Sequence, residues 1–213
     1  MGITNNDIVE ASIKILSRDG IAGLSMRSIA KELNIKAPSL YFHIKGKTEL
    51  YDGIAEYMCV KCAKPDVSLE AKDYLTEAAK LYRAMLLSVK DSVRIFEDSS
   101  PNTPCRVGII RDWVARISKI GVSEKNLLIV ANLINNYVLS FTAYELRLKK
   151  RNTPKEIQAI HEMLSFSTMA PKCSKGTGAR GSKSKFINKH DFDEQFTFGL
   201  RLIIAGIESA GGN

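Results

Sequence analysis

Cysteines and long apolar runs are scarce in this sequence of 213 residues. Four cysteines are too few for a secreted scaffold held together by disulfides. The longest apolar runs, 127–131 and 202–207, are far shorter than the roughly 20 residues that cross a bilayer. Asp7 and Glu10 stand where the apolar stretch of a signal peptide would begin. We therefore expect a cytoplasmic protein with no membrane partner.

Catalytic and metal-binding motifs are missing as well. The sequence has no glycine-rich phosphate loop, no nucleophile elbow and no paired carboxylates at a catalytic spacing. Cys59 and Cys62 form a CxxC pair, but no second pair follows at zinc-finger spacing. We therefore predict that the chain is not an enzyme and uses neither a cofactor nor a metal.

The CxxC pair keeps one alternative open. In redox proteins such a pair lies near a βαβ unit, which this sequence does not contain. On a helix, two thiols three residues apart are more often small buried side chains. The alternative function is therefore a thiol-based redox-sensing or redox-active helical protein.

Positive charge is abundant and unevenly distributed. The formal net charge is +8, which favours an anionic partner. Residues 25–47 carry five cations against the single acid Glu32, and 172–189 carry six cations and no acid. We interpret the second segment as part of a mobile Gly/Ser/Lys-rich loop at 170–189.

Apolar residues recur every three or four positions along most of the chain, which is the spacing of helices. The sequence predicts nine or ten helices and no strand, hence an all-α fold. Ser25 is a good N-cap for the second helix, Thr153–Pro154 starts a short late helix, and Asp191 with Glu194 matches a capping box for the last one. A composition change at 65–68 separates a domain at 3–63 from a larger helical domain at 64–211.

The segment APSLYFHIKGK, residues 37–47, has aromatic residues on its outer side. Three short helices with a tight turn before the third are typical of a helix-turn-helix, and this segment is the third helix. Leu40 and Ile44 then face inward, and a DNA major groove would cover the outer side chains. The alternative is that Tyr41 and Phe42 pack against the next helix. The outward residues of the segment are Pro38, Ser39, Tyr41, Phe42 and His43.

Residues 8–57 resemble the DNA-binding domain of TetR-family transcriptional repressors, through Gly23-Leu24-Ser25, Pro38-Ser39-Leu40-Tyr41 and Lys45-x-Lys47-x-x-Leu50. Residues 192–208 are similar to the last helix of the tetracycline-repressor branch. The resemblance implies a sequence-specific DNA-binding regulator, a ligand-released repressor that binds a palindromic double-stranded operator as a homodimer. It implies DNA contact by Arg27, Lys36, Ala37, Pro38, Ser39, Tyr41, Phe42, His43 and Lys47.

Two positions depart from that branch, which has a Trp at the position of Phe42 and a Gln at that of Ala37. Alanine cannot make a bidentate bond to an adenine edge. We therefore expect a different operator sequence.

The last two long helices are too apolar for the surface of a monomer. One stripe of the last helix contains Phe192, Phe196, Gly199, Ile203, Gly206 and Ala210. We expect the two helices to pair with their copies in a second subunit, as in the family. The alternative is that they are buried within one large core.

The resemblance also implies an effector pocket in the larger domain. Candidate lining residues are aromatic or amide side chains on several helices: Tyr82, Phe96, Trp113, Asn132, Asn136, Tyr137 and Phe141. The tetracycline branch binds a magnesium chelate through histidines, and this chain has none between His43 and His161. We therefore expect a small-molecule effector other than tetracycline–magnesium.

Overall fold

The computed structural model describes residues 2–151 and 192–211. Within these ranges all regular structure is helical, which confirms the all-α prediction. The predicted late helix from Thr153, the loop at 170–189 and the capping residue Asp191 lie outside them. The helices are α1 Asn5–Asp19, α2 Met26–Glu32, α3 Ala37–Leu40, α4 Lys47–Lys61, α5 Ala71–Ser88, α6 Ser92–Asp98, α7 Pro104–Lys119, α8 Leu127–Arg151 and α9 Phe192–Gly211.

Polar caps at two helix starts explain where the first helices begin. The Asp7 backbone N–H donates to Thr4 Oγ1, and the Asp7 carboxylate accepts from the Thr4 N–H, so α1 starts with a capping box. The prediction for Ser25 is confirmed, because its Oγ accepts from the Ser28 N–H at 3.1 Å. Gly20, with φ of +71°, ends α1 in a conformation that suits glycine.

Two local features differ from the prediction. Helix α6 is a separate short helix between α5 and α7 that the sequence pattern does not indicate. It exists because Asp91 adopts the left-handed conformation (φ +58°), which ends the preceding helix and starts a new one. Helix α3 is also shorter than expected and continues as turns, although Leu40 and Ile44 are buried as predicted.

Helix α4 packs against both ends of the molecule. It contacts α1 in the N-terminal part and α6 and α7 in the larger part. Leu50, Ile54 and Met58 on α4 are all buried, and one continuous cluster of buried side chains extends from Ile8 to Ile207. The apolar packing is continuous between the N-terminal part and the larger part. Because a close-packed core has few voids, a movement of either part displaces α4.

An ionic cluster with a buried Arg83–Glu145 pair at its centre joins α5, α8 and α9. Arg83 is 6% exposed and Glu145 is 1% exposed. Arg83 Nε donates to Glu145 Oε2 at 2.8 Å and Arg83 Nη1 donates to Asp193 Oδ1 at 2.6 Å, while Lys149 Nζ donates to Glu145 Oε1 at 2.6 Å. The Arg83 guanidinium also lies 5.0 Å from the centre of the Phe196 ring. These contacts hold the start of α9 against α8.

The predicted stripe on α9 needs correction. Phe196 is fully buried in its own subunit, and a Cβ on Gly199 would lie 2.3 Å from the Tyr137 hydroxyl. These residues therefore pack on α8 and do not belong to the outer side of the helix, which carries Phe198 and Leu202. The large apolar side chains exposed on α8 and α9 are Leu128, Ile129, Leu133, Tyr144, Phe198 and Leu202.

Segment Glu124–Lys150, which contains nearly all of α8, is long and apolar enough to cross a membrane, judged by length and composition alone. Only 22% of its most apolar window is buried within the subunit. The outer side of this helix therefore exposes apolar side chains that a partner would have to bury.

The ionic cluster gives a stability prediction. We expect Arg83→Met to lower the free energy of unfolding by about 3 kcal/mol, because Glu145 would keep its burial but lose one of its two cations. Lys72→Met, which removes an exposed pair with Glu208, is the matched control and should cost less than about 1 kcal/mol. Urea unfolding at fixed protein concentration measures both, and equal losses would contradict the prediction.

Candidate nucleic-acid interface and internal cavities

The turn after α3 exposes its aromatic side chains to solvent. Phe42 is 90% exposed and Tyr41 is 56% exposed, while His43 is partly buried. At these exposures the next helix leaves Phe42 almost uncovered and leaves more than half of Tyr41 open to solvent. The alternative that the two aromatics pack against this helix is therefore wrong. We call Tyr41 and Phe42 the outer aromatic pair.

The other predicted DNA-contact residues occupy two helix starts and one helix face. Lys36 is the N-cap of α3 and Lys47 is the first residue of α4. Lys47 Nζ lies 5.0 Å from the centre of the Tyr51 ring, which holds the lysine at the start of the helix. Those that are exposed are Arg27, Lys36, Pro38, Ser39 and Lys47, whereas Ala37 is partly buried.

A cavity of about 410 Å³ lies between α6, α7 and α8. It brings together five of the seven candidate effector residues: Tyr82, Phe96, Trp113, Asn132 and Asn136. Asn135 lies on the same wall, so we call it the amide cavity. Its volume is in the range of sites that bind small molecules. Trp113 lies 6.1 Å from Tyr82 in an edge-to-face arrangement, which fixes the aromatic wall.

Tyr137 and Phe141 do not line the amide cavity, which corrects that part of the prediction. Both rings lie 5.3 Å from the Phe196 ring, and the Tyr137 hydroxyl donates to the Phe196 carbonyl at 2.9 Å. Tyr137 follows Asn136 by one position, a rotation of about 100° that directs it toward α9.

A second cavity of about 320 Å³ is lined by Cys59, Cys62 and Cys105, and we call it the thiol cavity. Burial raises the pKa of Cys59 to about 12 and also raises the pKa of Cys62 and of Cys105. The three thiols are therefore protonated at neutral pH and poor nucleophiles. Among the residues with described positions, no group of three His, Cys, Asp or Glu could hold a metal ion.

Three carboxylates accept hydrogen bonds from backbone N–H groups that lie far away in the sequence. Asp52 Oδ1 on α4 accepts from Ser100 N at 2.6 Å, and Glu56 Oε1 accepts from Cys105 N at 2.8 Å. Asp91, just before α6, accepts from Ile21 N at 2.7 Å. We call Asp52 and Glu56 the α4 clamp.

The α4 clamp holds the segment that borders the amide cavity. Ser99 and Pro101 line this cavity directly, and Arg106 does so one turn later. Sequence reasoning missed Arg106 and the clamp, because nothing in a local pattern marks a partner 48 or 49 positions away. The residues of this segment that line the cavity are therefore chain neighbours of Ser100 and Cys105, which are hydrogen-bonded to α4.

Two family models match the chain. Residues 8–54 match "Bacterial regulatory proteins, tetR family", and residues 67–210 match "Tetracyclin repressor-like, C-terminal domain". The tetracycline repressor protein class G of Vibrio anguillarum is 24% identical over 211 residues, covering 94% of this chain and 91% of that protein. The class A protein from transposon 1721 of Escherichia coli is 29% identical over 102 residues, and that match spans 46% of this chain and 47% of the relative.

Solved structures have the same fold. The crystal structure of Mycobacterium smegmatis BioQ is 25% identical with a TM-score of 0.73, covering 98% of this chain and 99% of that one. Apo ActR from Streptomyces coelicolor is 23% identical with a TM-score of 0.77 and is covered completely, as is this chain.

Thiol burial gives a reactivity prediction. Only the thiolate reacts with iodoacetamide, so a pKa raised from 9.0 to about 12 should slow the reaction of Cys59 about a thousandfold at pH 8. Mass spectrometry of the folded protein should find Cys59 unmodified, and the same protein in urea serves as the control. Modification of Cys59 at equal rates in both states would contradict the structure.

Proposed function

The chain belongs to the TetR family of bacterial regulatory proteins and is a DNA-binding transcriptional regulator, and we propose that it is a homodimeric repressor that a small-molecule effector releases from a palindromic operator. It acts in the cytoplasm, where its operator DNA lies, and the proposal includes no catalytic step, cofactor or metal. The outer aromatic pair is the observation that carries it.

An aromatic side chain as exposed as Phe42 contributes little to folding. Covering it would contribute about 2 kcal/mol, which is available to a partner instead. A short helix fits the major groove, where an aromatic ring can contact a thymine methyl group. The Tyr41 and Ser39 hydroxyl groups can bond to phosphates on either side.

Exposed cations lie close to the outer aromatic pair in the sequence, and they favour DNA as the partner. Lys36, Lys45 and Lys47 are exposed within twelve residues, and Arg27 is exposed on α2. Such charges neutralise phosphates and make affinity depend on salt. We assign DNA contact to all nine residues named in the sequence analysis, with Ala37 as the position that changes the preferred base.

A second copy of the chain provides the cover that α8 and α9 need. A groove of about 750 Å³ between them is lined by Leu133, Leu202, Ile203 and Gly206. Pairing through these two helices gives a four-helix interface and places the two N-terminal parts about a two-fold axis.

The α4 clamp supplies the proposed link between effector and operator. An effector in the amide cavity would contact the segment at 99–106, which α4 holds through Asp52 and Glu56. A shift of α4 changes the separation of the two α3 helices, which must match half-sites about 34–36 Å apart. A coupling of about 1–3 kcal/mol would reduce operator affinity about 5–150-fold.

The redox alternative gains no support. The raised thiol pKa values disfavour oxidation, and both family models describe regulators.

The proposed interface predicts how operator affinity responds to mutation. Phe42→Ala should weaken binding to DNA taken from upstream of the protein's own gene about tenfold, with unfolding unchanged within about 0.5 kcal/mol because the ring is exposed. Lys47→Ala should lower affinity and reduce the slope of log affinity against log salt by about 1.

Fluorescence anisotropy at two or more salt concentrations measures both quantities. Lys119→Ala, at the exposed end of α7 in the larger domain, is the control and should change neither. If Phe42→Ala and Lys47→Ala both bind as tightly as the parent protein, the assigned interface is wrong.

The proposed dimer gives a second prediction. Leu133→Asp should convert the dimer to a monomer at micromolar concentration, because it places a charge inside an apolar interface. Val67→Asp is the matched control, since Val67 is also exposed but lies before α5. Sedimentation velocity distinguishes the two, and a Leu133→Asp protein that stays dimeric would exclude this face.

A further inference from the structure

Arg106 brings a positive charge to the wall of the amide cavity. It is partly buried, near the start of α7. Its Nη1 donates to Ser99 Oγ and to the Ser100 carbonyl, both at 2.7 Å. The guanidinium also lies 5.0 Å from the centre of the Phe96 ring, so the side chain is held in place before any ligand arrives.

This guanidinium has no acidic partner among the residues whose positions are described. Both positioning bonds use Nη1, which leaves the Nε and Nη2 hydrogens for another acceptor. A guanidinium binds carboxylate-like groups through two parallel hydrogen bonds. Arg106 is therefore a preorganised cation whose Nε–H and Nη2–H groups are available to a ligand.

The other charges near the cavities do not cancel Arg106. Glu97 also lines the amide cavity but is exposed, so water and salt screen it. In the thiol cavity, Lys64, Arg111 and Asp112 are all exposed as well. Arg106 is the least exposed of the charged residues that line the two cavities. The Asp52 and Glu56 carboxylates are bound to the backbone N–H groups of Ser100 and Cys105, and neither residue lines a cavity.

We propose that the effector is an aromatic compound with an anionic oxygen group, and that this group pairs with Arg106. The aromatic part lies between Phe96 and Trp113, and the amides of Asn132 and Asn136 bond to its polar edge. A volume of about 410 Å³ accommodates a compound of two or three rings. The inference rests on the proposed function, since it assigns the chemistry of the same effector site.

Trp113 makes the proposal directly measurable. It is the single tryptophan of the chain, it is buried, and it lines both cavities. Anilinonaphthalene sulfonate and phenylnaphthylamine share one ring system, and only the first carries a sulfonate. Quenching of Trp113 emission by each probe therefore reports binding in the cavities that Trp113 lines, with and without the negative charge, and the Arg106 and Arg111 variants distinguish the two cavities.

We expect the parent protein to bind the sulfonate at least about tenfold more tightly than the uncharged amine, a difference of about 1.4 kcal/mol. Arg106→Gln should abolish this preference while leaving the affinity for the amine within about twofold. Because the amine fills the same space, it controls for any rearrangement of the 99–106 segment. Arg111→Gln, in the thiol cavity, is the matched control and should keep the preference.

Equal affinities for the two probes in the parent protein would overturn the assignment, and so would a preference that survives in Arg106→Gln. Failure of both probes to quench Trp113 would also overturn it. None of these results affects operator binding, which is measured separately on the same preparations. A protein that fails to bind operator but keeps the sulfonate preference would contradict the proposed function alone.

Discussion

The burial of α4 on two sides is the constraint on which the rest of the molecule depends. Most of its inward side chains, such as Leu50 and Ile54, belong to one continuous core that also contains α1, α6 and α7. A helix in this position cannot move relative to one part without displacing the other, because packed interiors have few voids. The Asp52 and Glu56 carboxylates add specific hydrogen bonds to this packing. Each accepts from one backbone N–H of the segment beside the amide cavity.

Two surfaces of the subunit remain apolar and exposed, and each fits a different partner. The outer aromatic pair lies among cations and matches a DNA groove, whereas the exposed leucines of α8 and α9 match a second copy of the chain. The two partners depend on each other, because only a dimer presents two α3 helices to one operator. The apolar area at both surfaces does not contribute to the folding free energy of the single subunit, and its burial stabilises the complexes instead.

Periodicity in the sequence was enough to predict the all-α fold, the Ser25 cap and the outward direction of Tyr41 and Phe42, since each depends on neighbours within a few positions. The amide cavity was predicted less completely. Its aromatic and amide walls follow from apolar helices, but one position of rotation separates Asn136, which lines it, from Tyr137, which does not. Arg106 and the α4 clamp could not be predicted, because their partners are set by tertiary packing and not by spacing along the chain.

Trp113 also allows the most direct test of the coupling through α4. Linkage is reciprocal, so operator bound at α3 must alter the cavity if the cavity alters operator affinity. Titration of the dimer with operator should change Trp113 emission or its quenching by acrylamide, and the change should saturate at one operator per dimer. The change should disappear in an Asp52→Ala, Glu56→Ala double variant that still binds DNA. Trp113 emission and quenching that stay constant up to full operator occupancy would contradict the account.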